Sequence, residues 1–256
     1  QNIRTDLAVE AHELSRCEAK NATEIDGVIS DVRTEDGITV TNIEITNENG
    51  SKALGKAIGN YITIESPNLK YSIDIYERVC TLISEEIRTM ADIKSDSLTL
   101  VVGLGNRDIT PDALGTEVVS RLLVTHHIKQ NMKDFFDDNI SGVCALIPGV
   151  LGTTGIETAE IIKAVSEKVK PNLIIAVDAM AAADIRRVSI KFRSFSVSSV
   201  FWVFFCNTIR SLLTSVPAST NRLSGRRMAE TRLAWFISHS LTGRFCGESM
   251  TPEVVI

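Results

Sequence analysis

The sequence predicts an α/β fold: a three-layer domain in which a mostly parallel sheet lies between helices. Three observations predict it. Leu98–Val102, Val143–Ile147 and Leu173–Val177 are continuous apolar runs of strand length, as buried parallel strands require. Helical segments separate them, and strands alternating with helices close into a parallel sheet with right-handed crossovers. At 256 residues and 28.0 kDa, with 44% hydrophobic and 23% charged residues, the chain can bury a core of ordinary size.

Residues 1–26 are polar and acidic, with a short helix through Leu7–Leu14. Gly27–Ile29 and Ile38–Ile45 read as strands, the second alternating and β-branched. Asn47-Glu48-Asn49-Gly50 is a turn signal. Gly59–Glu65 is another alternating strand, closed by Ser66-Pro67-Asn68. From Tyr71 to Met90, apolar residues at Ile73, Val79, Cys80, Leu82, Ile83 and Ile87 fit an amphipathic helix. Thr110-Pro111-Asp112 predicts a helix start, with Thr110 as cap, Pro111 first and Asp112 in the first turn. That helix runs to about His127. Thr154 and Glu157 have capping-box spacing and open a helix over Ile156–Val169, which Pro171 follows.

Several functions are excluded by composition. A net charge of −5 argues against general nucleic-acid binding. Cys17, Cys80, Cys144, Cys206 and Cys246 are odd in number and widely spaced, which fits neither a disulfide framework nor a paired zinc motif. The start of the chain, Gln1 and a charged stretch, does not suggest secretion. Val200–Cys206 is too short to span a bilayer, which takes about 20 residues; it reads as a buried or aggregation-prone segment. No membrane partner is expected.

In an open α/β sheet, ligands meet the carboxyl ends of the strands. Gly103-Leu104-Gly105-Asn106 follows the first apolar strand, and Pro148–Gly155 follows the second. A dinucleotide fingerprint fails because Asp108 stands where its third glycine belongs, and no Gly-Lys-Ser/Thr supplies a phosphate loop. No cofactor is expected. Gly105, Asn106, Gly149 and Thr154 are candidate substrate-binding positions. Asp112, in a first helical turn, and Asp178, ending the third strand, point into one crevice if those strands are neighbours. Two close carboxylates share a proton, activate a water and protonate a leaving amine. The simpler reading is that Asp112 caps a helix and Asp178 accepts loop N–H bonds. His126 and His127 lie at a helix end, His12 and His239 are isolated, and no His/Cys set has zinc-ligand spacing, so no metal is expected.

Six segments, in order, carry a resemblance. They are Arg4-Thr-Asp-Leu-Ala-Val-Glu-Ala11, Tyr61-Ile-Thr-Ile-Glu65, Val102-Gly-Leu-Gly-Asn-Arg107, Thr110-Pro-Asp-Ala-Leu-Gly115, Ile147-Pro-Gly-Val-Leu-Gly-Thr-Thr-Gly-Ile-Glu-Thr158 and Ala176-Val-Asp-Ala-Met-Ala-Ala182. Together they resemble the germination proteases (spore proteases) of endospore-forming bacteria over about residues 3–189. The resemblance implies an endopeptidase that begins the degradation of small acid-soluble spore proteins during germination. It implies a zymogen, a homotetramer, and a cytoplasmic location in the spore core. It implies a core like that of hydrogenase maturation endopeptidases, whose matching acids bind nickel, with an added β-rich N-terminal part. It makes Asp112 and Asp178 the catalytic pair. Thr5-Asp6-Leu7-Ala8 resembles the family's cleavage sites, which implies autoprocessing between Asp6 and Leu7, with residues 1–6 a propeptide remnant.

The resemblance stops where composition changes. From Ile190 to Ile256 eight Lys/Arg face three Glu, a charge of +5, which leaves −10 for residues 1–189. The same stretch holds seven of nine Phe and both Trp. After Ser189 the family's Thr-Thr-Ile-Gln strand and Pro-Gly-Ser-Gly loop are absent. The expected organisation is therefore a protease-like domain over 1–189 and a divergent tail over 190–256, most simply explained by a change of reading frame. Two alternatives follow: an inactive truncated homologue, and a nickel-dependent maturation-type peptidase.

Overall fold

The computed structural model describes residues 6–18, 25–66, 72–91, 96–131, 141–180, 187–194 and 199–206. Its centre is one eight-stranded sheet in the order β1-β2-β3-β7-β8-β6-β4-β5. The strands are β1 (Val28–Glu35), β2 (Ile38–Ile45), β3 (Gly59–Glu65), β4 (Leu98–Gly103), β5 (Gly142–Leu146), β6 (Leu173–Met180), β7 (Arg187–Ser194) and β8 (Ser199–Cys206). β8, β6, β4 and β5 run parallel, and β1, β2, β3 and β7 form an antiparallel ladder joined to them through β7 and β8.

Side-chain alternation divides the sheet between two helical layers. The helices are α1 (Ala8–Glu18), α2 (Glu48–Leu54), α3 (Ile73–Ala91), α4 (Leu114–Ser120), α5 (His126–Asn131), α6 (Leu151–Thr154) and α7 (Thr158–Val169). On one face Val79, Ile83 and Ile87 of α3 and Leu114, Val118 and Val119 of α4 pack on Ile38, Ile62, Ile64, Val101, Ile175 and Val177. On the other, α7 covers Leu100, Val102 and Ile174. Beside α7, on that same face, Leu7, Ala8, Val9 and Leu54 pack on Ile43, Ile45, Tyr61 and Met180. The α/β class and the helix-flanked parallel strands are as the apolar runs predict, but the sheet is not mostly parallel, because four of its seven strand pairs are antiparallel.

Four local expectations are corrected. Asn47–Gly50 is not a free turn: the Asn47 Oδ1 accepts the Gly50 N–H at 2.9 Å and caps α2. Thr110 caps nothing; Thr110–Asp112 is a single 3-10 turn, and α4 begins only after Ala113. Nor does one helix reach His127. The chain leaves α4 at Ser120 because Thr125 is claimed by β5: its N–H reaches the Val143 carbonyl at 3.0 Å and its hydroxyl accepts the Val143 N–H at 2.9 Å. Thr154 closes the short α6 rather than opening the next helix, and α7 starts at Thr158 behind Glu157.

The sheet crosses position 190 without a break. Val200–Cys206 lies within β8, between β6 and β7. Thr5, of the segment that resembles a cleavage site, and the tail beyond Cys206 lie outside the described residues.

Candidate active site

The carboxyl ends of β4 and β6 form the floor of the site. β4 pairs with β6 as far as Gly103 opposite Val177, so Asp178 is the first β6 residue past that pairing. Leu104 continues the contact, donating its N–H to the Val177 carbonyl at 2.8 Å. The Asp112 turn then folds down on these strand ends, and glycines make room for it. A Cβ on Gly105, whose φ is +99°, would sit 2.0 Å from the Asp112 carbonyl oxygen. A Cβ on Gly115 would sit 2.2 Å from the Val177 carbonyl oxygen, and one on Gly103 2.3 Å from the Gly115 carbonyl oxygen. Gly103 and Gly105 therefore serve close backbone packing, not phosphate binding. The part played by Gly115 was missed in the sequence reading, because it depends on a strand more than 60 residues away.

Asp112 is half-buried, and its Oδ2 accepts the Asn106 N–H at 2.7 Å. Asn106 in turn holds the loop, its Oδ1 accepting the Asp108 N–H at 2.9 Å and its carbonyl the Ile109 N–H at 3.2 Å. Asp178 is also half-buried, and its Oδ1 accepts the Ala179 N–H at 2.8 Å. Burial pushes the Asp178 carboxyl above the ordinary carboxylate range. The Ala179 N–H opposes this, and the negative charges of Asp112 and then Asp6 push it further up. Asp178 thus accepts a backbone N–H, in line with the simpler reading, whereas Asp112 caps no helix and bonds back to Asn106 instead. The negative charge of Asp112 reaches Asp178.

Asp6 and Leu7 reach the same end of the sheet. Leu7 is fully buried in the cluster that contains Met180, two residues beyond Asp178 on the same face of β6. Asp6 is exposed, and its charge is felt at Asp178. Sequence reading gave no sign of this third charge.

Gly149 and Thr154 form a second group, in the loop after β5. Gly149, at φ +77°, packs on the Thr154 methyl, and its carbonyl accepts the Thr158 hydroxyl at 3.1 Å. The Thr154 hydroxyl lies 3.0 Å from the Ile156 carbonyl and accepts the Ile156 N–H at 3.2 Å. These bonds stay within residues 149–158, whereas Gly105 and Asn106 contact Asp112 directly. Among the described residues, no three His, Cys, Asp or Glu side chains are placed to hold a metal ion. Cys144 is no ready nucleophile, since burial pushes its thiol up.

A germination protease family model matches residues 8–197. The chain belongs to the germination protease family. A germination protease of Clostridium perfringens is 45% identical over 190 residues, which cover 73% of this chain and 58% of that protein. One from Caldanaerobacter subterraneus subsp. tengcongensis is 49% identical over 188 residues, covering 73% and 56%. One from Geobacillus is 42% identical over 197 residues, covering 73% and 53%. The chain thus matches little more than half the length of these germination proteases. The family is one of hydrolases acting on peptide bonds. Asp112, Asp178 and the loops around them lie inside the matched residues, and β8 lies beyond them.

Proposed function

We propose that this chain carries the acid pair of an endopeptidase that begins the degradation of small acid-soluble spore proteins during germination. The observation that carries the reading is the raised Asp178 carboxyl beside Asp112. Asp178 holds a proton at a pH where an ordinary carboxyl has lost it. Asp112, tied to the Asn106 N–H, presents its other oxygen as acceptor. A water between them gives its proton to Asp112 as its oxygen attacks the scissile carbonyl. Asp178 gives its proton to the departing amine, and the two acids exchange that role on turnover. Gly105 and Asn106 shape the wall nearest the pair, and Gly149 and Thr154 the neighbouring loop, where an extended substrate would lie.

Membership of the family supports the remaining features. The chain is made as a zymogen cut between Asp6 and Leu7, assembles as a homotetramer, and works in the spore core. Its parallel half-sheet corresponds to the core of hydrogenase maturation endopeptidases. The position of Leu7 beside Met180, and the reach of the Asp6 charge to Asp178, are what one expects if that bond lies close to the pair.

The test is cleavage of an acid-soluble spore protein by the native chain and by Asp112→Asn and Asp178→Asn. Both substitutions keep an oxygen for the backbone bonds. Each should lower turnover by about three orders of magnitude or more, as for groups that act as a unit. Turnover within tenfold of native in either variant would remove that acid from the mechanism.

A further inference from the structure

β1 closes the antiparallel end of the sheet, and among the described residues no strand pairs with its outer edge. All its residues after Val28 are exposed, with Ile29 at 58% and Val32 at 59%. The opposite edge differs, since Thr125 bonds to Val143 of β5. A long exposed edge strand with unpaired N–H and C=O groups is a template for another strand.

The phase of the β1 ladder is fixed. The Thr46 N–H donates to the Gly27 carbonyl at 2.9 Å, so odd-numbered residues of β1 bond to β2. Val28, Ser30, Val32 and Thr34 therefore turn their N–H and C=O groups outward. Asp31 and Arg33 share the face towards α3, where Arg33 pairs with Glu86.

We propose that β1 pairs antiparallel with β1 of a second copy of this chain, about a twofold axis at Val32. In that register Val32 meets Val32 and Ser30 meets Thr34 through backbone bonds. Asp31 meets Arg33 of the second copy, and the reverse pair repeats it. Those two pairs fall at the sites without backbone bonds, where facing side chains are closest. Moving the axis by one residue sets Asp31 against Asp31 or Arg33 against Arg33, and like charges opposite each other are destabilising. Moving it by two leaves Asp31 opposite Ile29, or overlaps the strands by only three residues. Charge and overlap thus select the Val32 register, which also covers the exposed Val32 and runs the sheet through both copies. A twofold contact of this kind is isologous.

The inference gives the homo-oligomer reading a specific interface and is independent of the peptidase chemistry. Sedimentation velocity of the full chain over a concentration series tests it, with circular dichroism to check that each variant is folded. Asp31→Arg and Arg33→Asp should each weaken self-association about tenfold or more, since each turns both charge pairs repulsive. An equimolar mixture of the two variants should associate again. In the mixed pair the new arginine faces the new aspartate, while native Arg33 faces native Asp31. Self-association of both single variants at native strength, or no recovery in the mixture, would overturn the interface and leave another route to the oligomer. A native chain that stays monomeric throughout would overturn the interface and the oligomer together.

Discussion

Asp178 imposes a pH-dependent load on the folded chain. Its carboxyl titrates higher in the fold than in the unfolded chain, where the ordinary value is about 3.9. As pH rises through that window, the unfolded chain releases the proton first, and stability falls. Below about pH 4 both states hold the proton and the load is absent. Asp178→Asn removes it while keeping an acceptor for the Ala179 N–H. Urea melts should therefore show the variant gaining on the native chain from pH 4 to pH 7, and a constant difference would contradict the raised carboxyl. Gly115→Ala acts by space alone. Its Cβ would lie 2.2 Å from the Val177 carbonyl oxygen, so α4 must move off the strand ends. We expect a loss of about 1–3 kcal/mol in urea melts, with activity lost beyond that because Asp112 moves too. A neutral substitution would mean that α4 has slack beside β6.

At the scale of elements, burial was legible and junctions were not. Gly59–Glu65 forms β3 as alternation predicts, and the apolar runs at 98, 143 and 173 form β4, β5 and β6. Hydrophobic period reports which face is covered, so these segments could be read from composition. The turn joining β1 to β2 carries an equally legible signal, the dipeptide Asp36-Gly37, and both residues have the positive φ that a two-residue hairpin needs. Thr125 could not be read locally, because its partners Ser141, just before β5, and Val143 of β5 lie 16 and 18 residues along the chain. Of the site, Asp178 was legible near a strand end, whereas Asp112 lies in a 3-10 turn and not in the helix start expected for it, and the glycine contacts and the reach of Asp6 come from pairs distant in sequence. Asn47 shows how one residue type fits two elements, because a turn and a helix cap use the same side-chain acceptor. Asn47→Ala should cost about 1 kcal/mol in a urea melt. No change in the midpoint would make the 2.9 Å bond to Gly50 energetically idle.

The whole molecule depends on a strand from beyond the family match. The match ends at residue 197, yet β8 begins at Ser199 and, among the described strands, is the one that joins β6 of the parallel half to β7 of the antiparallel half. Ending the chain at 198 would leave two interior strands with open edges. Such a chain should lose its single cooperative transition, and an unchanged melt would place the stabilising core elsewhere. The site is also a product of the whole fold, because Asp6, Asp112 and Asp178 come from the segment before α1, the turn before α4, and β6. Carbon-13 titration of the aspartate carboxyls reads that convergence directly. Asp178 should titrate above the ordinary range in the native chain, and lower in both Asp112→Asn and Asp6→Asn as each negative charge is removed. An Asp178 that titrates near 3.9, or that ignores the loss of Asp112, would contradict a shared acid pair.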